Sequence, residues 1–220
     1  MKKLFAVAAL SLGLASLAQA APMPKGDAAA GQGKAAACGA CHGADGNSMA
    51  PTFPRLAGQN ARYAFKQLQD FKAGRRVNPT MQGMAAPLSE QDMADLAAYY
   101  AEQKSGAGMA KAELAKKGEK IYRGGNSNTG LAACAGCHNP AGKGNAPAGF
   151  PRVGGQHADY IKAQLQAFRA AGRNDTVADP AQKRVNDAAK AGELGPMQMV
   201  AAKLSDEEIE AVSSFISGLH

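Results

Sequence analysis

The chain has no lysine-rich runs. Its few aromatic residues, 5% of the total with no tryptophan, are not interleaved with basic ones. A nucleic-acid surface is therefore not expected. Beyond its first 20 residues the chain also lacks any apolar run approaching the roughly 20 residues that cross a bilayer, so the mature chain is expected to be soluble or at most peripherally attached to a membrane. Alternating β-branched stretches are missing too, which leaves an all-α fold. A hydrophobic content of 45% excludes a disordered chain.

The opening segment has the layout of a secretory leader. Lys2 and Lys3 come first, Leu4 to Leu17 are apolar, and Ala18 and Ala20 flank Gln19, which predicts cleavage after Ala20. Removing residues 1–20 lowers the formal charge from +7 to +5. That mild basicity can steer an encounter with an acidic protein or an anionic lipid surface, but it selects neither.

Four cysteines in an exported protein would ordinarily form two disulfides. Their spacing argues otherwise. Cys38-Gly39-Ala40-Cys41-His42 returns as Cys134-Ala135-Gly136-Cys137-His138 at an offset of 96, and Phe53-Pro54-Arg55-Leu56-Ala57-Gly58-Gln59 as Phe150-Pro151-Arg152-Val153-Gly154-Gly155-Gln156 at 97. Ala64, Leu68 and Phe71 then match Ile161, Leu165 and Phe168 on an amphipathic helical stripe, which Gly74 and Gly172 are expected to end.

Each half closes on a capped helix, after Leu88-Ser89 and after Leu204-Ser205, now at an offset of 116. Opening helices are expected near Asp27–Ala37 and Lys111–Tyr122. The change of offset places a 19-residue insertion at about 174–196, read as a loop with a short helix near 181–191. The expected organisation is a leader at 1–20, a first domain at 21–104, a flexible linker at 105–110 and a second domain at 111–220. Halves this small have a marginal core, to which a buried prosthetic group would add apolar contact.

Cys-x-x-Cys-His is the attachment sequence of c-type haem. Two thiols on one side of a short turn can form thioethers to both vinyl groups of one porphyrin, and the next histidine then meets the iron. Cys38 and Cys41 with His42, and Cys134 and Cys137 with His138, are thus expected to hold two covalent haem c groups. A redox dithiol would need an α/β setting, and paired zinc-binding cysteines are closer together than the 93 residues from Cys41 to Cys134. No disulfide is expected.

The sixth ligand separates electron transfer from catalysis, because methionine closes the iron to substrates and raises its potential. Met81 or Met84 in the first half, and Met197 or Met199 in the second, stand before the closing helices. Met81 and Met197 both lie seven residues before the leucine of the Leu-Ser pair, which favours them. Met49, Met93 and Met109 have no counterpart and are read as packing or surface. Pro54 and Pro151 are either turn residues or the source of a carbonyl that orients the histidine ring. Arg55 and Arg152 are read as propionate partners or as solvated side chains. His157 and His220 are read as surface residues, since Asn60 replaces His157 in the first half.

Over essentially the whole mature chain these motifs, with Ile121-Tyr122-Arg123-Gly124-Gly125 opening the second half, resemble the dihaem cytochrome c4 family. The resemblance implies two class I cytochrome c domains packed about a pseudo-twofold axis, with haems close enough to exchange electrons. It implies His42/Met81 and His138/Met197 as axial pairs. It further implies a monomeric periplasmic carrier between a cytochrome bc complex and a terminal oxidase. Two other functions compete. One is an electron-accepting subunit of a flavin-dependent dehydrogenase; the other is a dihaem peroxidase, disfavoured because both halves offer a methionine.

Overall fold

The structure, a computed structural model, describes residues 23–190 and 192–220. The expected leader lies outside them. Ten helices are present among these residues: α1 Ala28–Lys34, α2 Ala36–His42, α3 Ala61–Lys72, α4 Pro79–Ala85, α5 Glu90–Glu102, α6 Ala112–Gly124, α7 Ala135–His138, α8 Ala158–Gly172, α9 Pro196–Ala201 and α10 Asp206–Ser217. No described helix is long and apolar enough to cross a membrane.

The helices form two tandem copies of one arrangement, as the repeat predicts. In the first copy α1 and α3 pack on α5 and α3 also packs on α4; in the second α6 and α8 pack on α10, and α8 on α9. The opening and closing helices meet at a glycine in each copy. A Cβ at Gly31 would stand 2.1 Å from the Asp95 carbonyl oxygen, and one at Gly118 would stand 2.2 Å from that of Ala211. Only a residue without a side chain allows backbones this close.

Local sequence signals account for most helix ends. The Asp27 carboxylate accepts from the amides of Ala29 and Ala30 at the start of α1. Ser89 with Asp92, and Ser205 with Glu208, form the two capping boxes expected at α5 and α10. The second core gathers Ile121, Tyr122, Leu165, Phe168, Ile209, Val212 and Ile216, while the first gathers Phe65, Met93, Ala94 and Ala97 with Ala35, Leu96 and Tyr100 beside them.

Three expectations are corrected. The first opening helix is two, because the chain turns at Ala35 before α2 carries the cysteines. Gly74, with φ +70°, follows α3, and Gly172 is the last residue of α8, as expected; a Cβ there would stand 2.2 Å from the Gln198 carbonyl, and Asn174, with φ 55°, takes the left-handed position just beyond. Between 181 and 190 there is no α-helix. A single 3-10 turn, Pro180–Gln182, overlaps the start of that stretch, capped by Asp179, and Ala191 lies outside the described residues. The connection at 105–110 is pinned rather than loose: Gly106 donates to the Asn47 side chain at 2.7 Å, and Lys111 N–H donates to Ser214 Oγ at 2.8 Å.

Equivalent residues of the two copies face each other. The Arg76 guanidinium lies 4.7 Å over the Phe71 ring and donates to Tyr160, Gln164 and Gln67. Arg184 lies 4.4 Å over Phe168 and donates to Tyr63, Gln67 and Gln164. Phe71 and Phe168, Tyr63 and Tyr160, and Gln67 and Gln164 are all repeat partners at an offset of 97. The two arginines are therefore partners as well, although they stand 108 apart. The insertion is thus split by Arg184 into pieces of 11 and 8 residues.

Candidate haem sites

In each copy the Cys-x-x-Cys-His segment is a short helix that ends at the histidine. Gly43 and Asn139, repeat partners at an offset of 96, follow with φ of 81° and 72° and turn the chain back toward the Phe-Pro-Arg segment. All four thiols are unpaired. Burial pushes the Cys134 thiol up to about 11 and raises that of Cys38. A thiol held protonated in this way is ill suited to disulfide exchange.

Both histidines are buried and oriented by the same contact. His42 Nδ1 lies 2.8 Å from the Pro54 carbonyl oxygen, and His138 Nδ1 lies 3.0 Å from that of Pro151. A carbonyl can only accept, so Nδ1 carries the proton and Nε2 keeps its lone pair. Burial outweighs the carbonyl and lowers the pKa of both rings, which holds them neutral, the form that binds a metal. The prolines therefore supply the orienting carbonyl considered from sequence. Phe53 and Phe150 complete the setting, with ring centroids 6.1 Å from His42 and 6.4 Å from His138.

The methionines before the closing helices differ in exposure. Met81 and Met197 are half-buried, Met197 against the second core, whereas Met84 and Met199 are 38% and 51% exposed. Met93 is core, and Met49 and Met109 are surface, as read from sequence.

The arginines of the repeated segment are half-buried. Arg55 donates from Nη1 to the Gly155 carbonyl at 2.7 Å, the backbone amides of both Arg55 and Arg152 are engaged across the domain boundary, and their Nε atoms are buried with no partner in the protein. These paired unmet donors, and the half-buried Arg76 and buried Arg184 guanidiniums near the one carboxylate of Asp70, are an environment that suits anionic groups such as haem propionates. Together with four free thiols and two neutral imidazoles they fit a haem c in each copy.

His157 corrects a further expectation. It is half-buried, and its Nε2 lies 2.9 Å from both Oγ and the carbonyl oxygen of Ser48, so it is a domain contact rather than a surface residue. His220 is exposed as expected. Gln59, Gln156, Arg76, Arg184 and Asp187 were not singled out as site residues from sequence. A polar residue kept at the same repeat position was the available signal for the glutamines, but the split insertion hid the pairing of Arg184.

Two all-helical domains in tandem, each with a Cys-x-x-Cys-His haem c site and a carbonyl-oriented histidine, define a dihaem c-type cytochrome. Comparison with known proteins agrees. The cytochrome c family model matches residues 28–104 and 115–220. Cytochrome c4 of Pseudomonas aeruginosa is 52% identical over 220 residues, covering 100% of both chains. The crystal structure of reduced recombinant cytochrome c4 from Pseudomonas stutzeri superposes with a TM-score of 0.76 at 50% identity, covering 89% of this chain and 100% of that one. A thiosulfate dehydrogenase electron acceptor of Stutzerimonas stutzeri is 38% identical over 189 residues, covering 84% of this chain and 80% of its own. The chain belongs to the cytochrome c4 family and is an electron carrier rather than an enzyme.

Proposed function

We propose that the protein is a periplasmic carrier that accepts single electrons from a cytochrome bc complex and delivers them to a terminal oxidase. In this reading the leader is residues 1–20, the haem domains are 21–104 and 111–220, and 105–110 joins them in a monomer. Cys38, Cys41, His42 and Met81 would hold one haem, and Cys134, Cys137, His138 and Met197 would hold the other. Bound haem supplies a one-electron couple at its iron. The protein's part would be to fix the imidazoles through Pro54 and Pro151, to offer Met81 and Met197 as the second ligands and to keep the two domains in register.

The observation that carries this reading is that both copies offer the same pair, a carbonyl-held neutral histidine and a half-buried methionine at the matching repeat position. Two closed sites suit outer-sphere transfer and disfavour peroxide chemistry. The test begins with the intact mass of the exported protein under denaturing conditions, expected at residues 21–220 plus two haems. Stopped-flow reduction by a quinol-reduced bc complex and oxidation by a terminal oxidase should then be fast and salt-dependent. Failure of both reactions would overturn the assignment of partners.

A second reading, an electron acceptor for a dehydrogenase, is favoured by the similarity to the thiosulfate dehydrogenase electron acceptor. Rapid reduction by such a dehydrogenase, flavin-dependent or not, with no reduction by a bc complex would select it.

A further inference from the structure

The two methionine-bearing helices are capped in different ways. In the first domain Asn78, the residue before Pro79, accepts from the Met81 amide at 2.9 Å. In the second domain the residue before Pro196 is Gly195, which has no side chain to offer. The acceptor is instead Asp187, delivered by the inserted segment. Its Oδ2 lies 2.6 Å from the Met197 amide and 3.4 Å from that of Gln198, and its Oδ1 accepts from the Gln198 side chain at 2.7 Å. A Cβ on Gly195 would stand 2.3 Å from the Asp187 carboxyl carbon, so the glycine makes room for this foreign cap.

The residues just before Asp187 are anchored in the other domain. Asn186, 7% exposed, donates to the Asp70 carboxylate at 2.6 Å and to the Gln67 side chain at 3.1 Å, both on α3. Its carbonyl accepts from Lys66 Nζ. Arg184 holds Tyr63 and Gln67 at 2.9 and 3.0 Å. One end of a four-residue stretch is thus fixed to the first domain, and the other end holds the backbone of Met197.

We propose that Asp187 is the positioning residue for the second domain's axial methionine, and that Asn186 makes that position depend on the first domain. The inference rests on Met197 being the axial residue. An α-helix leaves its first amides without partners, and in a helix of six residues their acceptor fixes where the first turn sits. By the same logic Asn78 holds Met81 from the position directly before its own helix, two residues after Arg76, which reaches Tyr160 and Gln164 of the second domain. The second methionine differs in that its cap is not the residue before its helix but comes from the inserted segment, and the cap's immediate neighbour Asn186 is bonded to α3, so a displacement of α3 reaches Met197 through two side chains.

The test uses the dihaem protein and three variants, read by the near-infrared methionine-to-iron band and by haem-resolved potentials. Met197→Ala should remove one of the two bands; retention of both would overturn the ligand reading itself. Given that loss, Asp187→Ala should weaken the same band, lower the potential of the second haem only and speed cyanide binding there by tenfold or more. Asp187→Asn keeps an acceptor and should retain the band while raising that potential through loss of a negative charge. Asn186→Ala leaves the cap in place and should give an intermediate gain in cyanide rate, which also serves if Asp187→Ala does not accumulate. Wild-type bands, potentials and cyanide rates in both Asp187→Ala and Asn186→Ala, or in Asn186→Ala alone where Asp187→Ala is not obtained, would overturn the inference with the ligand reading intact. A response in Asp187→Ala alone would keep the positioning role and overturn the dependence on the first domain.

Discussion

Gln59 and Gln156 perform the same task in opposite directions. The Gln59 side chain donates to the Arg152 carbonyl at 3.0 Å and accepts from the Arg152 amide at 2.8 Å; Gln156 donates to the Arg55 carbonyl at 2.9 Å and accepts from the Arg55 amide at 2.8 Å. Such reciprocity is the contact pattern of a twofold homodimer, here within one chain. It places the two Phe-Pro-Arg segments, whose prolines orient the haem histidines, directly against each other.

Because each glutamine satisfies a buried backbone amide and carbonyl, removing it should cost more than one ordinary hydrogen bond. Gln59→Ala and Gln156→Ala are each expected to destabilise the pairing of domains by about 1–3 kcal/mol. Calorimetry of the double variant should resolve two transitions, one per domain. A single transition at the wild-type temperature would show that these bonds do not hold the domains together.

The choice between neighbouring methionines is open to a direct spectroscopic comparison. Met84→Ala and Met199→Ala truncate exposed side chains and should retain both methionine-to-iron bands, whereas Met81→Ala should lose one. Loss of a band in Met84→Ala with none in Met81→Ala would reverse the assignment in the first domain.

The features legible in sequence are those written in local chemistry. The haem attachment motifs, the capping boxes at Ser89 and Ser205, and the amphipathic stripes through Phe71 and Phe168 need only nearby residues to be recognised. Pro54 and Pro151 were half legible, since a turn was evident but the direction of its carbonyl was not. What stayed hidden depends on contacts far apart in the chain. Nothing in the neighbourhood of Gly172 announces that Gln198 packs on it, and the insertion breaks the register that would have matched Arg184 to Arg76. The cap on α9 comes from Asp187, outside the usual position, and Gly195 looks like a helix with no cap at all.

The glycines at the helix crossings give a sharp contrast within one helix. Gly31→Ala would drive a methyl into the Asp95 carbonyl, and Gly118→Ala would drive one into that of Ala211. Backbone oxygens cannot swing aside, so the cost should reach or exceed the 1–3 kcal/mol typical of overpacking. Gly33, on the same helix as Gly31, meets nothing within 4 Å, and Gly33→Ala should stabilise the protein by up to about 1 kcal/mol. Thermal unfolding of the three variants checks this; similar melting temperatures for Gly31→Ala and Gly33→Ala would refute the crossing geometry.

Acid should weaken the first domain before the second. Lys34 Nζ, 2.6 Å away, the Asp27 amide and the Gln91 side chain hold the Asp95 carboxyl down to about 2, from an ordinary value near 3.8. A depressed folded pKa means that the folded chain prefers the charged form. Its stabilisation is complete above about pH 4 and is lost as pH falls toward about 2. Asp92 shares Lys34, and its carboxyl is held low in the same direction. The repeat partner of Asp95 is Ala211, which cannot titrate, and the ion pair that does join the opening and closing helices of the second domain, Lys117 with Glu207, is made by a carboxylate 84% exposed, where solvent screens it. Between pH 4 and 2 the unfolding temperature of the first domain should therefore fall more steeply than that of the second, and Asp95→Asn should flatten this dependence while lowering stability at pH 7. Equal slopes for the two domains in the wild-type protein would show that this ion pair does not carry the acid sensitivity.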